Sequence, residues 1–177
     1  MTTCINLGIS ACLLGQRVRY DGNHKLDPFL PTLFGQRFAF IPICPEMEAG
    51  LGVPREPMRL EGDPAHPRAV TLHTRRDLTA VLASHAEERL AALATANLGG
   101  LIVTSRSPSC GWGSVPVYGE QGQVGVGSGI FARAWGRCFP ALPVVEVGQL
   151  HQAEIREWFF QHLLPGLSTH HSNSRCR

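Results

Sequence analysis

Short apolar runs alternate with segments of helical period along this chain, and that alternation constrains its fold more than any other feature. Cys4–Ala11 is a compact apolar run and reads as a buried strand. Asp27-Pro28 puts an N-cap residue beside a proline at the first helical position, which predicts a helix to about Gly35. Arg37–Ile43 reads as a second strand, with Pro42 close to its end. Arg68–Leu72 reads as a short strand. From about Arg75 to Asn97 the pattern is helical: Leu78, Val81, Leu82, His85, Arg89 and Leu93 recur at spacings of three and four, and Asn97 with Gly99-Gly100 stops the run. Leu101–Thr104 is the next strand. Ser128 opens a helix to about Cys138, Ala141–Val147 is a further strand, and Gln149–Leu164 is a last helix that Pro165-Gly166 ends. Strands alternating with helices predict an α/β layered fold with a mostly parallel sheet. With no internal repeat and no linker, residues 1–166 read as a single domain and 167–177 as a polar, mobile tail.

Two stretches interrupt this order. Glu46–Pro67 carries Pro54, Pro57, Pro64 and Pro67, and Ser105–Ser128 is rich in Gly and Ser. Both read as long loops, and loops of such length inside a compact domain are usually functional.

Composition narrows the function classes. Lys plus Arg is 16 and Asp plus Glu is 14, a net charge of +2, which excludes a strongly basic nucleic-acid binder. No apolar run is long enough for a membrane span. The segment MTTCINLGIS has neither the basic region nor the apolar stretch of a signal peptide, which predicts a cytoplasmic address. There are six cysteines, at positions 4, 12, 44, 110, 138 and 176. In a cytosolic protein of this size cysteines serve metal binding or catalysis more often than stapling.

The topology makes three of them notable. Cys12 follows the first predicted strand, Cys44 the second, and Cys110 lies in the loop after Leu101–Thr104. Ligands in open α/β sheets bind beyond the carboxyl ends of the strands, so these three distant cysteines can meet at one rim. Gly15, Pro45, Pro108 and Gly111 bend the chain beside them, and bent loops expose N–H groups to anionic sulfur. Such thiolates suit zinc or an iron–sulfur cluster, while free cysteines also serve as small buried hydrophobes; no CxxC pair decides between these uses. If the group is a cubane cluster, three protein ligands leave one iron open to act on a substrate as a Lewis acid. Cys4, Cys138 and Cys176 read as structural.

Two carboxylates stand near the thiols in sequence. Glu46 lies two residues after Cys44, and Asp21 sits in the Arg19-Tyr20-Asp21-Gly22 stretch. Either can move protons as a general acid or base, although Asp-Gly is also a turn signal. Ser107 and Ser109 flank Pro108 just before Cys110, where hydroxyls can hold a polar substrate or simply bond within the loop. Gly125, Gly127 and Gly129 before a helix, with Glu146 ending the next strand, imitate a dinucleotide fingerprint. The polar YGEQGQ segment before Gly125 is a poor strand, and glycines that admit close backbone approach explain the pattern equally well.

SACLLG at 10–15, RYDG at 19–22, CPEMEAGLGVPREP at 44–57 and SPSCG at 107–111 resemble the TudS-like thiouracil desulfidases, over a span from about Ile9 to Glu146. The resemblance implies a [4Fe–4S] cluster held by Cys12, Cys44 and Cys110 with one open iron, Glu46 as the acid, and a serine of the SPSC loop as helper. It implies removal of sulfur from a thiolated pyrimidine, giving uracil and sulfide. The chain departs from the family pattern at Thr104, where members usually carry lysine, at Tyr118-Gly119-Glu120, and at Gly127-Ser128-Gly129-Ile130.

The expected function is therefore a non-redox, hydrolytic desulfidase acting on a small thiopyrimidine. Glu46, helped by Asp21, activates water, and Ser107 or Ser109 hydrogen-bonds the ring. No stable nucleic-acid binding is expected. The alternatives are a non-enzymatic module that binds or senses metal or sulfur, and a desulfidase acting on thiolated tRNA. For the latter, Arg17, Arg19, Arg55, Arg59 and Arg106 are candidates for one basic rim.

Overall fold

The computed structural model describes residues 5–35 and 38–163. Cys4, Arg37, Cys176, the end of the last predicted helix and the 167–177 tail lie outside the described residues.

The first sheet follows the sequence closely. Strands β1 (Ile5–Ser10), β2 (Phe38–Ile43), β5 (Leu98–Val103) and β8 (Val144–Glu146) form a parallel sheet in the order β2-β1-β5-β8. β1 and β5 are central and buried along nearly their whole length, as the near-continuous apolar runs of a doubly covered parallel sheet require. Helices α1 (Phe29–Phe34) and α5 (Ala153–Leu163) bring Leu30, Phe34, Phe159 and Leu163 against Leu7, Ile9, Ile102 and Val145. Helices α3 (Thr79–Leu93) and α4 (Ile130–Cys138) pack Ala86, Leu90, Leu93, Phe131 and Trp135 against Ile43, Leu101 and Val103. The α/β layered reading with a mostly parallel sheet holds.

β5 begins three residues before the predicted strand and runs through Gly99-Gly100, which the pattern had assigned to a helix stop. A Cβ at Gly100 would stand 2.9 Å from the Pro143 carbonyl. These glycines admit a close neighbour rather than end a helix. Helix α3 also starts later than expected, at Thr79, where Asp77 Oδ1 accepts the Thr79 N–H at 2.9 Å. Its buried stripe is Leu82, Ala86, Leu90 and Leu93, whereas Val81 is 42% exposed and His85 and Arg89 reach sideways to Glu48.

A second sheet was not foreseen. Strands β3 (Met58–Glu61), β4 (Arg68–Thr71), β6 (Val115–Gly119) and β7 (Gly122–Gly127) join in the order β4-β3-β6-β7. β3 pairs parallel to β6, and the other pairs are antiparallel. It occupies much of the two stretches read as loops. Pro116, the glycines of β7 and the charges on β3 are all strand-disfavouring signals. They are outweighed by Leu60, Val115 and Val117, which alternate inward and pack on Leu78, Leu82 and Ile130. Helix α3 thus serves both sheets, its first turns facing the second and its later turns the first.

The strand order places the site. The chain leaves β1 for β2 on one side and later returns to β5 on the other, so the order reverses beside β1 at the carboxyl edge. Crevices at such reversals bind ligands in open α/β sheets.

Candidate functional site

At that edge lies a cavity of about 330 Å³. β1 runs into a tight turn, Ala11–Leu14, that carries Cys12; β2 delivers Cys44 as the residue before a one-turn helix α2 (Pro45–Glu48). β5 delivers Thr104 and the loop to Cys110. Cys12, Cys44, Glu46, Ser107 and Cys110 all line the cavity. Cys12, Cys44 and Cys110 are the free cysteines of the described residues, and Cys12 and Cys110 are buried. Cys138 ends α4 and packs against the core.

Local bonding holds the loops that carry Cys44 and Cys110. The Cys44 N–H donates to Glu48 Oε1 at 2.8 Å, and Glu48 Oε2 meets His85 and Arg89 of α3, tying α2 to the body of the fold. The Cys44 thiol points to the Val18 carbonyl at 3.8 Å. Ser107 Oγ accepts the N–H groups of Ser109 and Cys110 at 3.3 and 3.1 Å, closing the turn that presents Cys110. The α4 start grips the same loop: Ile130 N–H donates to the Pro108 carbonyl at 3.0 Å and Phe131 N–H to the Ser109 carbonyl at 2.9 Å. Gly129 makes this possible, because a Cβ there would fall 2.7 Å from Cys110 N and closer still to the Ser109 carbonyl. Glu146 holds the other side of the loop, accepting from Trp112 N–H and the Ser114 hydroxyl. The glycine run and its acid therefore build the Cys110 loop and form no dinucleotide site: Gly125 and Gly127 lie in β7 and Glu146 is committed to that loop.

Burial sets the electrostatics of the thiols. It pushes Cys12 and Cys44 up, against the lowering effect of Arg19 and Lys25 at Cys12 and of the Met47 backbone at Cys44. Cys110 is raised well above the usual thiol range, first by burial and then by the neighbouring Cys44. The mutual influence of the three shows that they share one region. Desolvated thiols of this kind give up their protons to a soft metal, which replaces the lost solvation. Among the described residues no three His, Cys, Asp or Glu groups converge on a single ion. A cluster that takes each sulfur on a different iron requires no such convergence. The donor set, three thiols on one cavity wall, fits that kind of group.

Glu46 is the carboxylate that the structure brings to the thiols. Its Oε1 accepts the Ser109 hydroxyl at 2.7 Å, and its Oε2 accepts Arg55 Nε at 2.6 Å. Both partners are shielded: the Arg55 side chain is 8% exposed and that of Glu46 13%. Arg55 is itself anchored by the Val18 and Gly52 carbonyls, each at 2.8 Å. Ser109 is buried and lies behind Glu46, off the cavity wall, while Ser107 lines the wall.

Asp21 is not brought in. It is exposed and does not line the cavity, and its carboxylate accepts the Asn23 N–H at 3.1 Å, with Arg19 at 3.5 Å. The Asn23 hydrogen bonds hold its carboxyl below the usual range. The turn chemistry of Asp-Gly decides its place. Of the five candidate rim arginines, the structure brings three to the cavity. Arg19, Arg55 and Arg106 line the cavity with Lys25, but Arg55 is paired with Glu46 and Arg19 with Asp21, while Arg17 and Arg59 do not line it and Arg59 pairs with Glu61 at 2.7 Å.

Sequence reasoning missed Arg55 as the partner of Glu46, although both lie in the segment CPEMEAGLGVPREP at 44–57. It also missed Ser10 and the side chain of Thr104. Ser10 Oγ accepts the Thr104 N–H at 3.1 Å across β1 and β5. The Thr104 hydroxyl is buried on the cavity wall without a hydrogen-bond partner of ordinary geometry, yet near enough to favour the Cys12 thiolate.

Comparison with known proteins gives three matches. The family model for 2-thiouracil desulfurase matches residues 7–146. An uncharacterized protein, YbbK of Bacillus subtilis (strain 168), is 29% identical over 129 residues, 70% of this chain and 85% of that relative. A solved structure of the [4Fe-4S]-dependent thiouracil desulfidase TudS superposes with a TM-score of 0.67 at 29% identity, covering 87% of this chain and 98% of that one.

Proposed function

The chain belongs to the 2-thiouracil desulfurase family, and on that premise we propose that it is an iron–sulfur-dependent desulfidase for a thiolated pyrimidine. Cys12, Cys44 and Cys110 would hold the [4Fe–4S] cluster. When bound, the cluster would supply a Lewis-acidic iron, left open by the three-cysteine ligation, for the sulfur of the substrate. The reaction is a hydrolysis without redox change: the ring C=S becomes C=O, water provides the oxygen, and sulfide leaves.

The chain's own residues take the remaining roles. Glu46 accepts the proton of the attacking water. Ser109 and Arg55 position its carboxylate, one at each oxygen. Ser107 accepts two backbone N–H groups, which leaves its O–H to donate to a heteroatom of the ring. Pro45, Pro57 and Pro108 on the cavity wall carry no N–H to compete with the substrate's partners. Asp21 has no part in this scheme, since its carboxylate closes a turn outside the cavity.

The observation that carries this reading is the single cavity that receives three thiols from three separate strand ends, with one anchored carboxylate beside them. Anaerobic reconstitution with iron and sulfide, followed by assay of sulfide release from 2-thiouracil, 4-thiouracil and 4-thiouridine, tests it. A cluster with sulfide release that Glu46→Gln abolishes is the expected result. A cluster without release from any of these substrates would instead support a binding or sensing module.

A further inference from the structure

A second cavity of about 250 Å³ lies away from the cysteines, between the start of β4, the start of α3 and the exposed side of α4. Arg68, Arg133 and Arg137 line it, with His66 at its edge and Thr79 on its wall; no carboxylate does. Arg133 and Arg137 are one helical turn apart, so their guanidinium groups share one face of α4.

Arg133 is the exception among its kind. The other described arginines that are partly buried each meet an oxygen: Arg19 has Asp21, Arg55 has Glu46, Arg59 has Glu61, Arg89 has Glu48, and Arg156 has the Leu150 carbonyl. The guanidinium of Arg133 has neither an ion pair nor a hydrogen bond. Its charge is disfavoured first by burial and then by Arg137. The carboxylate that acts on it is Asp63, which is 66% exposed and stands 3.6 Å from His66. Arg68 is only loosely engaged, 3.5 Å from Asp77. Thr79 Oγ1 accepts the Ala69 N–H at 2.9 Å, and its hydroxyl is directed at the Asp77 carboxylate, so Thr79 shapes the wall without offering a free donor.

We propose that this cavity is a binding site for the phosphate group of a small molecule, clamped between Arg133 and Arg137 with Arg68 as a further donor. Guanidinium forks match phosphate oxygens in pairs, and two such forks at helical spacing fit one tetrahedral anion better than one carboxylate. A bound dianion also cancels the repulsion between the two arginines. The site is independent of the cysteine cavity and of the reading proposed for it.

Isothermal titration of the anaerobically purified protein with inorganic pyrophosphate at low ionic strength tests this, with sodium chloride at matched ionic strength as the control. One saturable site per chain is expected. Arg133→Gln and Arg137→Gln should each weaken it about tenfold or more, while Arg17→Gln should leave it intact; melting curves in chloride establish that each variant is folded. Absence of saturable binding, equal affinity in Arg133→Gln and Arg137→Gln, or loss of the heat in matched chloride would overturn the proposal. So would displacement of pyrophosphate by a short RNA whose binding falls with salt as several phosphate contacts require, since the surface would then serve a nucleic-acid backbone.

Discussion

The Ser109 hydroxyl donates to Glu46 Oε1 at 2.7 Å, across 63 residues of sequence. One residue belongs to the turn after β2 and the other to the loop after β5, so this bond ties two arms of the candidate site together. It also separates the two serines of the SPSC loop: Ser109 positions the carboxylate, and Ser107 faces the cavity.

Removing the positioning hydroxyl should slow turnover without emptying the site. Ser109→Ala is expected to lower kcat about tenfold with KM nearly unchanged and iron content retained. Glu46→Gln should lower kcat by about 10²–10⁴, the usual range for a general base. Steady-state kinetics beside iron analysis check both, and an unchanged kcat in Ser109→Ala would remove its assigned role.

Arg55 and Glu46 form a shielded pair, and breaking one side leaves an uncompensated charge. Arg55→Met should destabilise the fold by about 3–5 kcal/mol. The double variant Glu46→Gln/Arg55→Met should be less destabilised than the sum of the single changes. Urea melts of the four proteins measure the coupling.

Cys12→Ala, Cys44→Ala and Cys110→Ala should each prevent stable cluster assembly, read as loss of bound iron and of the brown chromophore after anaerobic reconstitution. Retention of a full iron complement by any one of them would remove that cysteine from the ligand set.

Gly129→Ala inserts a methyl group against the Ser109–Cys110 peptide. A backbone neighbour cannot swing aside like a flexible side chain, so a loss of about 1–3 kcal/mol is expected. Iron loading should fall with it, because the displaced loop carries Cys110. Gly148→Ala, where a Cβ meets nothing within 4 Å, serves as the control.

Glu61 links the second sheet to the loop before α3. Its carboxyl is lowered from about 4.5 to about 2, chiefly by the hydrogen bonds from Arg75. A folded value below the unfolded one means stability that is full above about pH 4.5 and lost as the pH falls toward 2. The Arg75 and Arg59 side chains are 52% and 39% exposed, so solvent screening reduces the contribution to about 1–2 kcal/mol. Denaturant melts should show wild type above Glu61→Gln at pH 7, with the gap closing between pH 4.5 and 2. A constant gap would refute the assignment.

Much of the first sheet was legible, because its signals are local. Buried runs such as Ile5–Ser10 and the Asp27-Pro28 cap declare themselves within a few residues. The second sheet was hidden because its strands carry Pro116, Gly125 and paired charges, and only Leu60, Val115 and Val117 face inward. The phase of α3 was misjudged for a related reason. Arg89 and His85 fall at core spacing yet are drawn aside by Glu48, a residue that sequence distance conceals.

By itself the sequence determined the alternation of strands and helices and the positions of Cys12 and Cys44 just past strand ends and of Cys110 in the loop after a third, since both follow from periodicity and turn chemistry along the chain. Tertiary structure decided which groups stand beside those thiols. It brought Glu46 in between Arg55 and Ser109, left Asp21 outside in its turn, and set the Thr104 hydroxyl on the cavity wall beside the Cys12 thiol. The physical reason is one of range: a strand or cap is set by its near neighbours, whereas the partner of a buried carboxylate is set by whichever distant donor the packed sheet order places within about 3 Å.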